Sequence, residues 1–242
     1  ELDFMRFIVY FKKAEAEKNA PLITELVKAA KHITDSVAKA HGKKILLTAR
    51  VPANLPDCNS KGLDVREWVK LGLVDFLTMG VHWRGDPAMG VAQFKQDIGS
   101  DIPVYVTMDD GGLDPREVWS HGMYRGMASH AMAQGAAGMY LFNYFLTAYN
   151  EAGQQLKPEE GTMVCRTIAP ELLRELGSLE TLRKRNKVYC LSDGVTSYNL
   201  HMNSPLPLKV VGKDSESIYV GDNVTIDKPE ELVLFVRSKG AA

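Results

Sequence analysis

The sequence predicts an α/β protein with a parallel sheet, and three observations carry that expectation. Short apolar runs suited to buried strands alternate with capped or amphipathic helical segments. The strand starts recur about every 28 to 43 residues, close to the βα unit of a (β/α)8 barrel. The chain of 242 residues, 45% hydrophobic and 24% charged, is large enough to bury a substantial core. Regular βα alternation implies parallel strands, because each crossover helix returns the chain to the same end of the sheet. A doubly wound open sheet satisfies the same alternation. No glycine fingerprint for nucleotide phosphates follows any strand, however, and Gly111-Gly112 marks only a tight turn, so a barrel is favoured.

The elements follow in order. Leu2 to Phe11, rich in Phe, Ile, Val and Tyr, reads as a first buried strand. Pro21 opens a periodic helical run through Leu22, Leu26, Ala29, Ala30, Ile33 and Val37, which ends at the C-cap signal His41-Gly42. Lys44 to Val51 is a continuous apolar run for a strand buried on both faces, closed by Pro52 and Pro56. Asp64 caps a short helix from Val65 to Leu71, and Val74 to Met79 supplies a third strand. Ala88 to Ile98 reads as a helix, Ile102 to Met108 as a strand, Pro115 to Gln134 as a long helix and Gly138 to Phe145 as a fifth strand.

Glu171 to Lys184 reads as one more helix. After it, turn-rich sequence separates short β-type runs at Val188 to Leu191, Leu208 to Val211, Ser217 to Val220 and Glu231 to Arg237. The expected division is therefore a barrel part over residues 1–185 and a small, incomplete β domain over 186–242, too small for a secure core of its own.

Composition narrows the function. Twenty-nine Lys and Arg against thirty Asp and Glu leave no basic excess of the kind that holds a phosphate backbone, so nucleic acid is not an expected partner. The apolar runs fall far short of the roughly 20 residues needed to span a bilayer. Cys58, Cys165 and Cys190 lie far apart without a CxxC or a Cys/His cluster. With no ligand cluster and no phosphate loop, no metal and no organic cofactor is expected. Residue 1 is Glu, with neither an initiator Met nor a signal segment, and the first strand begins at once, so the chain is expected to start within a longer product.

In a parallel barrel the site lies at the C-terminal ends of the strands, where polar residues close the apolar runs. Glu1 and Asp3 share one face of the first run, Arg50 closes the second, and His82 and Trp83 follow the third. Asp109 and Asp110 follow the fourth, and Asn143 with Tyr144 closes the fifth. Carboxylates at such a rim can serve as the acid and the nucleophile or base of glycoside hydrolysis, while Trp83 and Tyr144 can stack on pyranose rings. Each also has a plainer reading. Asp110 beside two glycines suits a helix cap, Asp3 suits an acceptor for Arg6 or Arg50, and a loop histidine such as His82 suits a surface role. Asp109 shares a face with Thr107 and Tyr105, which makes it the better inward carboxylate.

Four stretches carry a resemblance: ELDFMRF at Glu1 to Phe7, TARVP at Thr48 to Pro52, GLDVREWVKLGLVD at Gly62 to Asp75, and MYRGMASHAMAQGAAGMYLFN at Met123 to Asn143. In these the chain resembles the later part of the glycosyl-hydrolase-like, family-10-type barrel proteins. The resemblance implies that this chain holds strands four to eight of a (β/α)8 barrel, followed by the start of a β-sandwich-like tail. It further implies Asp3, with Glu1, as acid/base and Asp109 as nucleophile, and the strand-end reading sets Arg6, Arg50, His82, Trp83, Asp110, Asn143 and Tyr144 around a carbohydrate substrate. By the same resemblance the protein is exported, to the periplasm or outside the cell. The broader glycosidase clans generally use glutamates at both catalytic places, with an Asn-Glu pair after the fourth strand, and this sequence has neither. Two other readings therefore stand beside hydrolysis: a carbohydrate-binding protein without catalysis, and an inactive piece that needs the missing barrel half or associates with itself through open strand edges.

Overall fold

The computed structural model describes residues 1–81, 85–86, 88–109, 120–142, 170–191, 200 and 216–234. At its centre is a five-stranded sheet of β1 (Leu2–Asp3), β2 (Thr48–Pro52), β3 (Phe76–Gly80), β4 (Val104–Met108) and β5 (Gly138–Leu141). The strands lie in the order β1-β2-β3-β4-β5, and every neighbouring pair is parallel. Parallel strands in sequential order, joined by right-handed crossovers, place all connecting helices on one side of the sheet. The side chains agree. Ala49, Val51, Leu77, Met79, Val104, Val106 and Met108 point to one face and join a single apolar core with Trp68, Phe94 and Met127 of the helices.

Between the strands run α1 (Ala16–His41), α2 (Leu55–Ser60), α3 (Val65–Lys70), α4 (Val91–Ile98) and α5 (His121–Ala133). Their ends follow local chemistry. Asn54 caps α2 by accepting from Asp57 N–H at 2.8 Å, and Asp64 caps α3 by accepting from Glu67 N–H at 3.1 Å. Gly42 closes α1 and Gly99 closes α4, both in the left-handed conformation that costs glycine little. Trp68 is fully buried, donates its indole N–H to Thr24 Oγ1 at 3.0 Å and lies 5.2 Å from the Phe4 ring. It ties α3 to α1 and to the start of the chain.

Several expectations are corrected. The first strand is two residues long, because the Asp3 carboxylate accepts Met5 N–H at 2.8 Å and turns the chain out of the ladder. Phe7 and Val9, expected within it, are exposed. Helix α1 begins at Ala16, five residues ahead of Pro21, which sits inside it. Its buried side is Ala16, Ile23, Thr24 and Val27, whereas Leu22, Leu26, Ile33 and Val37 of the expected apolar run are exposed.

The expected helix over 171–184 is two short ones, α6 (Pro170–Glu175) and α7 (Leu179–Arg183). Ser178, after Gly177, restarts the helix by accepting Thr181 N–H at 3.2 Å. Residues 188–191, 217–220 and 231–234 are not strands, and the regular element among the described residues after 186 is α8 (Val224–Asp227). These apolar stretches find no neighbouring strand among the described residues, and Leu232, Val233 and Leu234 face solvent. The run at 208–211 and the end of the last one lie outside the described residues.

The segment after α7 lies along α5. Val188 N–H donates to the Gly122 carbonyl at 2.9 Å, and a side chain at Gly126 would run into the Val188 carbonyl. Lys187 pairs with Asp222 at 3.0 Å, and the Tyr219 ring meets His130 edge-on at 4.7 Å. Glu175 is buried between Arg125 at 2.7 Å and Arg185 at 3.1 Å, which binds α6 to α5.

Candidate functional site

The opposite face of the sheet is built from the alternate residues: Asp3 on β1, Thr48 and Arg50 on β2, Thr78 and Gly80 on β3, Tyr105 and Thr107 on β4, and Gly138 and Tyr140 on β5. Glu1, Asp109 and Phe142 extend the same face beyond the strand ends. Pro52 and Phe76, the latter against the Tyr105 ring at 5.2 Å, complete this face, which mixes charged, hydroxyl and aromatic groups where the helix-covered face is aliphatic.

This face is concave, and two contacts show how strongly. On a flat sheet β2 and β5 stand about 14 Å apart and β1 and β5 about 19 Å apart. Yet the Arg50 guanidinium carbon is 3.6 Å from the centroid of the Phe142 ring, and the Tyr140 hydroxyl donates to Glu1 Oε1 at 2.9 Å. The sheet coils until side chains from its two edges touch across the hollow. Its interior allows no bulk at one point: a Cβ on Gly80 would sit 2.7 Å from the Thr107 Cβ.

Arg50 is fully buried. Its Nη1 donates to both Asp3 carboxylate oxygens at 3.2 Å, while Asp3 remains partly open to solvent. The register pairs these two residues directly, so the ion pair is a consequence of the ladder. The remaining donors, Arg50 Nε and Nη2, are buried with no hydrogen-bond partner among the described residues, and so are the hydroxyls of Thr48, Thr78 and Thr107. An orphaned buried polar atom costs about 1–3 kcal/mol. Five of them on one sheet face are a concentrated expense for a fold to carry. Burial also pushes the Tyr140 phenol up to about 12, with Glu1 adding to the rise. Tyr10, which donates to the Phe4 carbonyl at 2.9 Å, is pushed up to about 12 by burial and then by Asp3.

Of the residues singled out from sequence, Glu1, Asp3, Arg50 and Asp109 share the concave face. Asp109 is fully buried at the C-terminal end of β4. Arg6 lies in the turn after β1, exposed, its guanidinium 5.5 Å from the Phe7 ring. His82, Trp83, Asp110, Asn143 and Tyr144 lie outside the described residues. Sequence reading missed Phe142 over Arg50, the Tyr140 to Glu1 bridge and Thr78. Period-two alternation was the available signal, since Thr48, Arg50, Thr78 and Thr107 all fall on the face opposite the aliphatic residues. Among the described residues no group of three or more His, Cys, Asp and Glu side chains is placed to hold a metal ion, and no helix is long and apolar enough to cross a membrane. Cys58 is a buried free thiol, held in its neutral form by that burial, and Cys190 is a half-buried one.

The residues define an α/β protein whose coiled parallel sheet presents carboxylates, a buried arginine and aromatic rings on its concave side. Compared with known proteins, the sequence matches no family model and no protein of curated function.

Proposed function

We propose that the chain forms part of a (β/α)8 barrel glycoside hydrolase of the glycosyl-hydrolase-like kind, with Asp109 as the nucleophile or base and Asp3, assisted by Glu1, as the acid. The observation that carries the reading is the placement of Asp3 and Asp109 on one concave face. In the ladder Asp3 is level with Arg50, Thr78 and Tyr105, and Asp109 lies four residues further along β4. A flat sheet would hold the two about 19 Å apart, counting roughly 13 Å along the strands and 14 Å across them. A barrel with a shear of eight over eight strands shifts the level by about one residue per strand, which absorbs about three of the four residues. The reading requires closure to bring the two carboxylates to within about 5–9.5 Å of each other across the mouth, the range that glycoside hydrolysis uses. On this reading Tyr140, Phe142 and the described donors of the hollow bind sugar, and His82, Trp83, Asp110, Asn143 and Tyr144 complete the rim.

The test is turnover. Asp109→Asn in the full polypeptide is expected to lower the release of reducing ends from a cleaved glycan by about 10²–10⁴-fold while leaving the fold intact. Unchanged turnover removes Asp109 from the reaction.

One observation favours a second reading, glycan binding without cleavage. The Asp3 carboxylate is already engaged by Arg50 Nη1 and by Met5 N–H, which suits an acceptor that holds structure better than a proton donor. Oligosaccharide retention with no reducing ends after long incubation selects this alternative.

A further inference from the structure

The proposed carbohydrate site has one feature that hydrolysis does not need, and it specifies the kind of sugar. Arg50 is wholly buried while its counter-ion, Asp3, is partly exposed, so water screens the carboxylate far more than the guanidinium. The contact between them is long for a charge-assisted bond, 3.2 Å to each oxygen from a single nitrogen. Phe142 covers the flat of the guanidinium at 3.6 Å, shutting water from that side. Left over is the edge formed by Nε and Nη2, two donors with no partner among the described residues. That edge has the spacing of the two oxygens of a carboxylate, a match that a lysine or a hydroxyl cannot make. Directly opposite Arg50 on β3 is Thr78, whose buried hydroxyl also lacks a partner among the described residues.

We propose that the Nε–Nη2 edge of Arg50, with the Thr78 hydroxyl beside it, seats the carboxylate of an acidic sugar, which makes a uronic-acid-bearing glycan the substrate class of this site. The inference rests on the carbohydrate reading above. Occupancy registers as a rise in melting temperature as well as in direct binding.

The experiment compares D-glucuronate, D-glucose and acetate at equal ionic strength, by ligand-observed NMR and thermal melting of the full chain. Glucuronate is expected to bind at least about tenfold more tightly than glucose. Acetate is expected to compete with it weakly. Arg50→Lys keeps the charge but loses the fork, and should erase the preference. Since that variant risks the fold, Thr78→Val carries the decision independently: its unliganded melting temperature should hold or rise, because an orphaned hydroxyl is gone, while glucuronate affinity falls severalfold. Equal binding of glucose and glucuronate, binding of neither, failure of acetate to compete, or unchanged glucuronate affinity in Thr78→Val each overturns the inference. Cleavage of neutral glycans without a glucuronate preference leaves the hydrolase reading standing and removes this one. Glucuronate binding with no cleavage of any glycan does the reverse.

Discussion

The two faces of the sheet are made from the same five strands and obey opposite rules. The helix-covered face is aliphatic and joins one continuous core, in which Trp68 meets its only polar requirement through Thr24. The concave face carries a buried arginine, a buried aspartate and three buried threonines, and two nitrogens of the arginine and the threonine hydroxyls have no partner among the described residues. Stability is generated on one side and spent on the other. A sheet that gained nothing from its hollow would fill it with valine and leucine, as the strands do on their other face.

This contrast can be broken by mutation, and the largest effect belongs to the stabilising face. Trp68→Ala should cost about 3–5 kcal/mol in denaturant unfolding, through lost apolar contact, a cavity and an unpaired Thr24 hydroxyl. A loss below about 1 kcal/mol would show that α1 and α3 are not held through this residue. A smaller and pH-dependent effect is expected at His130 on α5, which is buried beneath Tyr219. Burial lowers the pKa of this imidazole, the neighbouring Met89 carbonyl offsetting only part of the effect. A base whose folded pKa lies below its unfolded one stabilises fully above the unfolded value, near 6.5, and loses that contribution as pH falls from there. Stability measured at pH 7.5 and 5.5 should therefore drop more in the native protein than in His130→Gln, and equal slopes would refute the role.

On the concave face the sign reverses. Thr107→Val should leave unfolding free energy unchanged or raise it by up to about 1 kcal/mol, since it removes an orphaned hydroxyl. A clear loss would mean that the hydroxyl is satisfied in solution and that the two faces differ less than described. The smallest effect is expected on the exposed flank of α1. Leu26→Ala should stay within about 0.5 kcal/mol, against about 1 kcal/mol or more for Val27→Ala one position along.

Much of this was legible in the sequence. All five strands start within their apolar runs, β2 and β3 continuing one residue past them to Pro52 and Gly80, and Asp64 caps its helix as its position suggests. What escaped reading has physical causes. The first run looked like a strand throughout because composition does not reveal that Asp3 will bond its own backbone two residues on. The periodic stripe of α1 misled because the helix is buried along Ile23 and Val27, not along Leu22 and Leu26. The short runs after Lys187 have strand composition, but a strand exists only where a partner does. As for the site, Asp3, Arg50 and Asp109 could be placed on one face by alternation alone. The meeting of Arg50 with Phe142, three strands away, depends on how far the sheet coils, which no local pattern encodes.

The Asp3 to Arg50 contact carries a lesson for anyone who dissects this molecule by mutagenesis. With just two residues in its ladder, β1 is held to its neighbour by that charged clasp and by the Phe4 N–H to the Arg50 carbonyl at 3.0 Å, beside the buried Phe4, Met5 and Ile8 that follow it. A dead Asp3 variant would report an unfastened edge as readily as a missing reagent. Asp109, anchored at the end of a strand paired on both sides, is the cleaner lever, and kinetics should begin there.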